Sequence, residues 1–416
     1  MRLLGRAGLV AVVALVLAGC WPAPGAGPDR QGFNPFETAI SPANVAQLEP
    51  AWTAPTDVGE VEDPVVAGGT VHVTSGVSLY GFDVGTGNRR WKKDLDMPSI
   101  VEFMGQPFVD GRELLAGEGH GNLGGNYHTN RIDPATGAVL GTLPAPGGMV
   151  EGVRGSTYLL ARLGFGSGGP FATSVTIVDR ADPNRGWSGL IDITGLSGPA
   201  PGRPLTLGDE RAYQAGVGTL LSGSTTTRGN GLRAFPVVSP PTCTGPIAGA
   251  VCPSWSTPLD GATSVPPVLD DAEATVFSGT DAGTVYALDA ATGAVRWSTP
   301  VGSAVTASPA LAGGRLYVPT AGGSLVVLDA SNGGQLWSAS TGGRMGVQPA
   351  VGGGVVFTGS NDGSVHAYDA AGCGSSTCPA LWSDNVGSGI SGAPAVSAGQ
   401  LYVGTADSRL LAYRLP

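Results

Sequence analysis

Few side chains in this chain combine the residue types and spacing that metal or acid–base chemistry requires. The sequence has four histidines, and two of them, His120 and His128, stand near Glu118 in one glycine-rich stretch. Two imidazoles and a carboxylate could bind a metal ion. The preferred interpretation is a polar loop with two unrelated imidazoles. A Gly-x-Ser-x-Gly nucleophile motif does not occur. We therefore predict no metal site and no catalytic residue.

A second candidate is the stretch Gly164-Phe-Gly-Ser-Gly-Gly169, which satisfies a dinucleotide-binding pattern. Such a loop binds a pyrophosphate only when it opens a helix after a parallel strand. Pro170 and a β-like run, Ser174–Val178, follow it instead. The stretch is interpreted as a flexible hairpin loop.

The N-terminus has the features of an export signal. Arg2 and Arg6 precede an uncharged apolar run, Leu9–Leu17, which is too short for a permanent membrane helix. The run ends in Leu-Ala-Gly-Cys20, which resembles the bacterial lipobox, although Cys20 could be incidental in an ordinary signal peptide. We predict a signal peptide at 1–19, a lipidated Cys20 with a flexible Pro/Gly/Ala-rich tether at 20–40, and a folded domain at 41–416. Nothing after Cys20 is long and apolar enough for a second span.

Composition limits the class of partner. The formal net charge is −10 and aromatic residues make up 6% of the chain, which argues against nucleic acid as a partner. Charged residues are 13%, and there are 69 glycines and 33 prolines. With 42% hydrophobic residues, this composition indicates many short buried strands joined by tight turns.

The chain repeats itself at a period of about forty residues. An Asp precedes a Trp by eight residues, with a Gly four after the Asp, in three segments: Asp83, Gly87 and Trp91; Asp289, Gly293 and Trp297; Asp329, Gly333 and Trp337. Weaker copies keep part of the pattern, at Asp133 with Gly137, at Asp179 with Trp187, and in the interrupted pairs Asp369 to Trp382 and Phe235 to Trp255. Each unit is expected to form a four-stranded antiparallel blade.

Residues in these turns are interpreted as structural. The Asp side chain caps backbone N–H groups of the turn, and the Gly supplies a positive φ. The Trp is expected to pack between neighbouring blades, with its indole N–H bonded to a backbone acceptor.

Counting the units predicts the closure of the ring. Seven units are complete, and an eighth, which begins at Ser391, ends after three strands. The segment around Trp52 can supply the missing fourth strand, which leaves no open sheet edge. The fold class is therefore all-β: one eight-bladed β-propeller of four-stranded antiparallel blades, closed by pairing of the N-terminal strand with the C-terminal blade.

Four cysteines remain after Cys20, and three pairings are possible in principle. The local pairs Cys243–Cys252 and Cys373–Cys378 are favoured because each lies within one insertion between a third and a fourth strand. Disulfides fit an exported protein.

Loop length points to a candidate binding surface. In blades two, three and four the links between second and third strands are long, whereas later blades have short ones. These links should form a raised rim on one face of the ring, and long loops on a rigid scaffold often bind partners. Neutral drift in loop length is the alternative. The candidate rim residues are Glu118, His120, Tyr127, His128, Phe165, Phe171, Arg228 and Asn230.

The repeat pattern resembles the PQQ-like (pyrrolo-quinoline quinone) β-propeller family, and within it the lipoproteins related to the B component of the outer-membrane β-barrel assembly machinery. That resemblance implies a lipid-anchored, extracytoplasmic, monomeric scaffold that binds other envelope proteins and carries no cofactor.

Quinoprotein oxidoreductases of alcohols or sugars, which share the repeat, are the alternative. They hold PQQ over a disulfide between adjacent cysteines and use Ca²⁺ bound by Glu and Asn, with an Asp base. This chain has no adjacent cysteines. PQQ and Ca²⁺ are therefore not expected.

Overall fold

The repeats fold into a ring of eight antiparallel four-stranded blades, because each repeat alternates apolar strand segments with Gly-rich turns. The computed structural model describes residues 21–95, 106–120, 126–143, 148–165, 171–181, 186–194, 205–222, 225–238, 251–263 and 265–416. Before the first repeat lie two short 3₁₀ helices (Pro24–Ala26 and Val45–Gln47) and the strands β1 (Phe33–Asn34) and β2 (Glu49–Pro55).

The first four blades follow in chain order. Blade one comprises β3 (Val65–Ala67), β4 (Thr70–Ser75), β5 (Ser78–Asp83) and β6 (Arg89–Asp94). Blade two comprises β7 (Phe108–Asp110), β8 (Glu113–His120), β9 (Asn126–Ile132) and β10 (Val139–Thr142). Blade three comprises β11 (Met149–Arg154), β12 (Thr157–Phe165), β13 (Phe171–Asp179) and β14 (Gly186–Thr194). Blade four comprises β15 (Leu205–Leu207), β16 (Arg211–Ser222), β17 (Thr225–Pro236) and β18 (Trp255–Pro258).

The remaining blades are more regular. Blade five comprises β19 (Val268–Leu269), β20 (Thr275–Gly279), β21 (Thr284–Asp289) and β22 (Val295–Pro300). Blade six comprises β23 (Ala310–Ala312), β24 (Arg315–Pro319), β25 (Ser324–Asp329) and β26 (Gln335–Ser340). Blade seven comprises β27 (Ala350–Gly352), β28 (Val355–Gly359), β29 (Ser364–Asp369) and β30 (Trp382–Asn385). Blade eight comprises β31 (Ala395–Ser397), β32 (Gln400–Gly404), β33 (Arg409–Arg414) and β2.

The pairing of β2 with β33 confirms the predicted closure of the ring. The two strands are antiparallel over six residue pairs, from Glu49 opposite Arg414 to Pro55 opposite Arg409. The last three strands of the chain and the strand nearest the N-terminus thus form one blade, and the outer edge of β33 is paired. The predicted fold class is confirmed.

The core lies in layers between adjacent blades. First strands are short and buried on both sides, as in β23, whereas fourth strands alternate exposed and buried residues, as in β6. The buried position in β6 is Trp91. Burial therefore falls from the axis of the ring toward its rim.

Tryptophans of the fourth strands join neighbouring blades. Indole N–H groups donate to backbone carbonyls of the next blade or its entry segment, from Trp52 to Val84, Trp91 to Pro134, Trp187 to Pro236, Trp255 to Ala290, Trp297 to Ala330 and Trp382 to Leu48. The turn glycine of the next blade faces the indole of Trp52, Trp91, Trp255 and Trp297. A Cβ on Gly137 would lie 2.7 Å from the Trp91 ring. The glycine is needed for this close approach as well as for its positive φ.

The disulfide between Cys373 and Cys378 is local, with the two Cα atoms 5.6 Å apart. Its loop also hydrogen-bonds to blade six, because Ser338 donates its backbone N–H to Ser376 and accepts one from Cys378, both at 2.9 Å. The bridge therefore shapes a contact between two blades. Cys252 is disulfide-bonded as well, whereas Cys243 lies outside the described residues.

The prediction of a flexible tether at 20–40 was wrong for the described part of that segment. Trp21 is 2% exposed and Ile40 is fully buried. Residues 21–37, hereafter the axial segment, lie along the inner edges of the first strands. The free N–H groups of those edges donate to backbone carbonyls of the axial segment. Because every residue has a backbone carbonyl, the Pro/Gly/Ala composition of the segment does not indicate that it docks there.

Candidate partner-binding surface

Three long β-hairpins stand on one face of the ring. The second and third strands pair over seven residues in blade two, nine in blade three and twelve in blade four, compared with five in blades five, six and seven. At about 3.3 Å per residue, the hairpin of blade four rises roughly 20 Å above its equivalent in blade five. The sequence predicted long loops here; the structure shows that the strands themselves continue.

The hairpins of blades three and four are joined into a single sheet. The fourth strand of blade three, β14, pairs with β16 of blade four at Ile193 and Thr219. The resulting sheet contains eight strands, β11 to β18. We call the β8–β9, β12–β13 and β16–β17 hairpins, where they project beyond the shorter hairpins of the other blades, the crest. Because this pairing links the two blades, the parts of the crest in blades three and four form one continuous surface.

The structure places Glu118 and His128 directly opposite one another in β8 and β9. His128 Nε2 lies 3.8 Å from Glu118 Oε2, and Lys93 Nζ lies 3.6 Å from the same oxygen. The side-chain amide of Asn130 also donates to Glu118, which is 7% exposed. Lys93 and Asn130 were not among the predicted rim residues. The cluster neutralises a buried carboxylate at the base of the crest.

The other predicted rim residues lie in the crest strands. His120 and Tyr127 are near the end of the β8–β9 hairpin. The backbone of Phe165 lies opposite that of Phe171 at the end of β12–β13, and Arg228 and Asn230 belong to β17. Asn230 is half-buried, and its carbonyl accepts a hydrogen bond from the N–H of Leu259 at 3.0 Å. The side chains of the other five lie outside the part that the structure describes.

The axial segment contacts the first strand of every blade. Backbone N–H groups of these strands donate to its carbonyls, from Val66 to Trp21, Val109 to Pro22, Leu207 to Pro28, Leu269 to Asp29, Leu311 to Gln31 and Val351 to Gly32, at 2.7–3.1 Å. Its side chains contact the other two blades: Arg30 donates to Glu151 in blade three, and Asn34 donates to Val396 in blade eight. The segment therefore encircles the axis of the ring.

Charged groups meet around Arg30 of the axial segment. Burial lowers the pKa of Arg30, an effect that Glu151 and Asp63 oppose. Burial raises the pKa of Asp63, whose carboxylate accepts a hydrogen bond from the N–H of Ala393 at 2.7 Å. Burial, followed by the charges of Asp63 and Glu60, raises the pKa of Glu62 to about 7. Carboxyl groups outnumber the one guanidinium here.

Three observations bear on the quinone cofactor and Ca²⁺ of the alternative prediction. PQQ carries carboxylates, and the cluster around Arg30 is itself rich in carboxyl groups. Among the described residues, no group of three or more His, Cys, Asp or Glu side chains is arranged to hold a metal ion. The adjacent cysteines of the quinoprotein dehydrogenases do not occur in the sequence.

Eight four-stranded blades with this Asp–Gly–Trp spacing define a β-propeller of the PQQ-like repeat class. The chain belongs to the family described as "Outer membrane protein assembly factor BamB", whose model matches residues 43–157, 211–372 and 325–414 and so covers more than half of the chain. No sequence among the curated proteins matches it. Among the described residues, no helix is long and apolar enough to cross a membrane.

Solved structures share the fold at low identity. A quinohemoprotein alcohol dehydrogenase from Pseudomonas putida HK5 is 15% identical, with a TM-score of 0.68 over 97% of this chain and 81% of that one. A europium-containing methanol dehydrogenase is 14% identical, with a TM-score of 0.67 over 96% and 98%. BamB from Moraxella catarrhalis is 13% identical, with a TM-score of 0.56 over 88% and 99%. At these identities the comparisons show the fold alone.

Proposed function

We propose that this protein is a lipid-anchored, extracytoplasmic scaffold that binds other envelope proteins through its crest. The observation that carries the proposal is the eight-stranded sheet across blades three and four. A propeller closes without such a sheet, as the five-residue hairpins of blades five to seven demonstrate. The additional length of these hairpins is therefore not needed for closure, and it enlarges one face selectively.

The anchor in this proposal is Cys20 with two acyl chains. Burying acyl chains contributes about 0.8 kcal/mol per CH₂, so two chains hold a protein on a membrane stably. Cys20→Ser should leave the protein without lipid, either uncleaved or released in soluble form. Metabolic labelling with a fatty acid tests this, and unlabelled wild-type protein would refute the anchor.

The crest is tested by shortening one hairpin. Val217–Asn230 in blade four can be replaced by the short link Asp281–Gly283 of blade five, which keeps the remaining strand pairs. Crosslinking in intact cells should lose the partner proteins that wild type captures, while the melting temperature stays close to wild type. The matched control replaces Asp281–Gly283 by Asn-Gly and should retain those partners. Identical partners in all three proteins would refute a role for the crest.

The quinoprotein alternative is tested by a separate activity assay. Purified protein incubated with PQQ and Ca²⁺ should not reduce an electron-accepting dye when alcohols or sugars are added. Substrate-dependent dye reduction that requires PQQ would replace the scaffold proposal with an oxidoreductase.

A further inference from the structure

The docked axial segment leaves almost no free chain between Cys20 and the propeller. Trp21 donates its backbone N–H to the Val66 carbonyl and accepts a hydrogen bond from the Val66 N–H, both at 2.9 Å. Adjacent Cα atoms are about 3.8 Å apart, and the residue beside blade one, Trp21, is bonded directly to Cys20 in the sequence. A flexible tether of about twenty residues would instead span roughly 25 Å. A lipid on Cys20 would therefore be fixed relative to the ring.

The direction of the axial segment shows at which face of the ring the segment begins. The turn face is the face of the ring that carries two sets of turns, those between first and second strands and those between third and fourth strands. The crest stands on the opposite face. Trp21 pairs with Val66 in an antiparallel bridge, and β3 runs toward the turn face. The described chain therefore begins at Trp21 on the side of the turn face and runs from there toward the opposite face.

The other end of the axial segment leaves by the same face. β1 runs parallel to β27, toward the turn face, and Glu37 Oε2 then accepts a hydrogen bond from the Gly399 N–H, in the turn between β31 and β32, at 2.9 Å. Both ends of the segment thus open on the turn face, near the axis of the ring.

Exposed apolar side chains are concentrated on the turn face. Among the described residues, nine large hydrophobic side chains are exposed. Two of them, Val58 and Val77, lie at the crest face. The other seven lie in turns of the turn face or at the starts of fourth strands there: Phe36, Val139, Leu140, Val238, Val295, Leu336 and Leu381. Such side chains can enter the boundary between headgroups and acyl chains.

We propose that the turn face rests on the lipid bilayer, with the crest directed away from it. This inference rests on the proposed lipid anchor at Cys20. The occupant is a bilayer rather than a protein because the acylated residue would emerge at the centre of this face, with apolar side chains around it. The chain carries a net charge of −10, so apolar insertion rather than attraction to anionic headgroups should hold the face.

The test uses the scarcity of lysine in this chain, which has only Lys92 and Lys93. Ala282 and Ala291 are both exposed and flank the same strand, β21, at the crest face and the turn face respectively. Ala282→Lys and Ala291→Lys therefore form a matched pair. Each lipoprotein is reconstituted into phosphatidylcholine vesicles and treated with a water-soluble amine reagent. The labelling rate is compared with that of the same variant carrying Cys20→Ser in solution.

On vesicles, the lysine at 291 should react about fivefold more slowly than in solution, because the bilayer shields it, whereas the lysine at 282 should react at the same rate. Inserting about twenty Gly/Ser residues between Cys20 and Trp21 should restore the rate at 291, because roughly 25 Å of slack frees the ring.

Three results would overturn the orientation. The first is an equal labelling rate at 291 on vesicles and in solution, and the second is protection of the lysine at 282 instead. The third is protection at 291 in cells but not on protein-free vesicles, because that result would indicate that a protein covers this face. Failure of the anchor looks different, because protein without an acyl chain by mass spectrometry would not bind vesicles at all. Protein that is lipidated but unprotected refutes the orientation alone.

Discussion

Acidification offers a direct test of the packing around His72. This residue is fully buried in β4, and its ring centroid lies 5.6 Å from that of Trp91. Burial, with a smaller contribution from the charge of Arg90, lowers the pKa of His72 from an ordinary value of 6.5 to about 3. The native state therefore keeps the imidazole neutral at pH values where the unfolded chain protonates it.

The sign and size of the effect follow from proton linkage. Between the two pKa values the unfolded state binds more protons than the native state, so the free energy of unfolding falls as the pH is lowered. The penalty is negligible at pH 7.5 and reaches about 2 kcal/mol at pH 5. It continues to grow until the pH approaches the pKa of the native state.

The assay is urea unfolding of wild type and His72→Leu at several pH values from 7.5 to 4.5. Between pH 7.5 and pH 5, the free energy of unfolding of wild type should fall by about 2 kcal/mol more than that of His72→Leu. His366→Leu is the control, because burial also lowers the pKa of His366 but its ring is only half-buried. Its shift should have the same sign and be smaller. Parallel pH profiles for wild type and His72→Leu would refute the reasoning.

Two further substitutions test the contacts between blades, each with a matched control. Gly87→Ala should lower the free energy of unfolding in urea by about 2 kcal/mol more than Gly68→Ala. Both glycines have positive φ, but a Cβ on Gly87 would lie 2.6 Å from the Trp52 ring, whereas Gly68 has no neighbour within 4 Å. Equal losses would show that backbone strain alone matters. Trp91→Phe should cost about 1 kcal/mol more than Trp337→Phe, because the Trp91 indole donates to blade two at 2.9 Å while that of Trp337 finds no acceptor among the described residues. The reverse order would contradict this role of the hydrogen bond.

Repeat spacing was sufficient to predict the propeller, its eight blades and their closure. Asp83, Gly87 and Trp91 recur at fixed intervals because each blade must make the same turn and present the same anchor to its neighbour. These requirements are local, or join adjacent repeats, so they appear directly as a sequence pattern. The local pairing of Cys373 with Cys378 follows in the same way, since one insertion contains both.

The three long hairpins were only partly predictable. Loop length identified blades two to four, but not that β14 would pair with β16 across two blades. That contact depends on how far the hairpins rise and how the two blades are oriented, which no local pattern records. The association of Glu118 with Lys93 likewise joins residues that are distant in the sequence.

The sequence alone determined which residues build each blade, because turn chemistry and strand alternation act within about forty residues. Only the tertiary structure decided where residues 21–37 lie. Their hydrogen bonds run from backbone carbonyls to the inner edges of strands as distant as Val351. A carbonyl is present whatever the side chain, so no residue type signals that contact in advance. The edges that the segment binds exist only once the ring has brought eight first strands together around one axis.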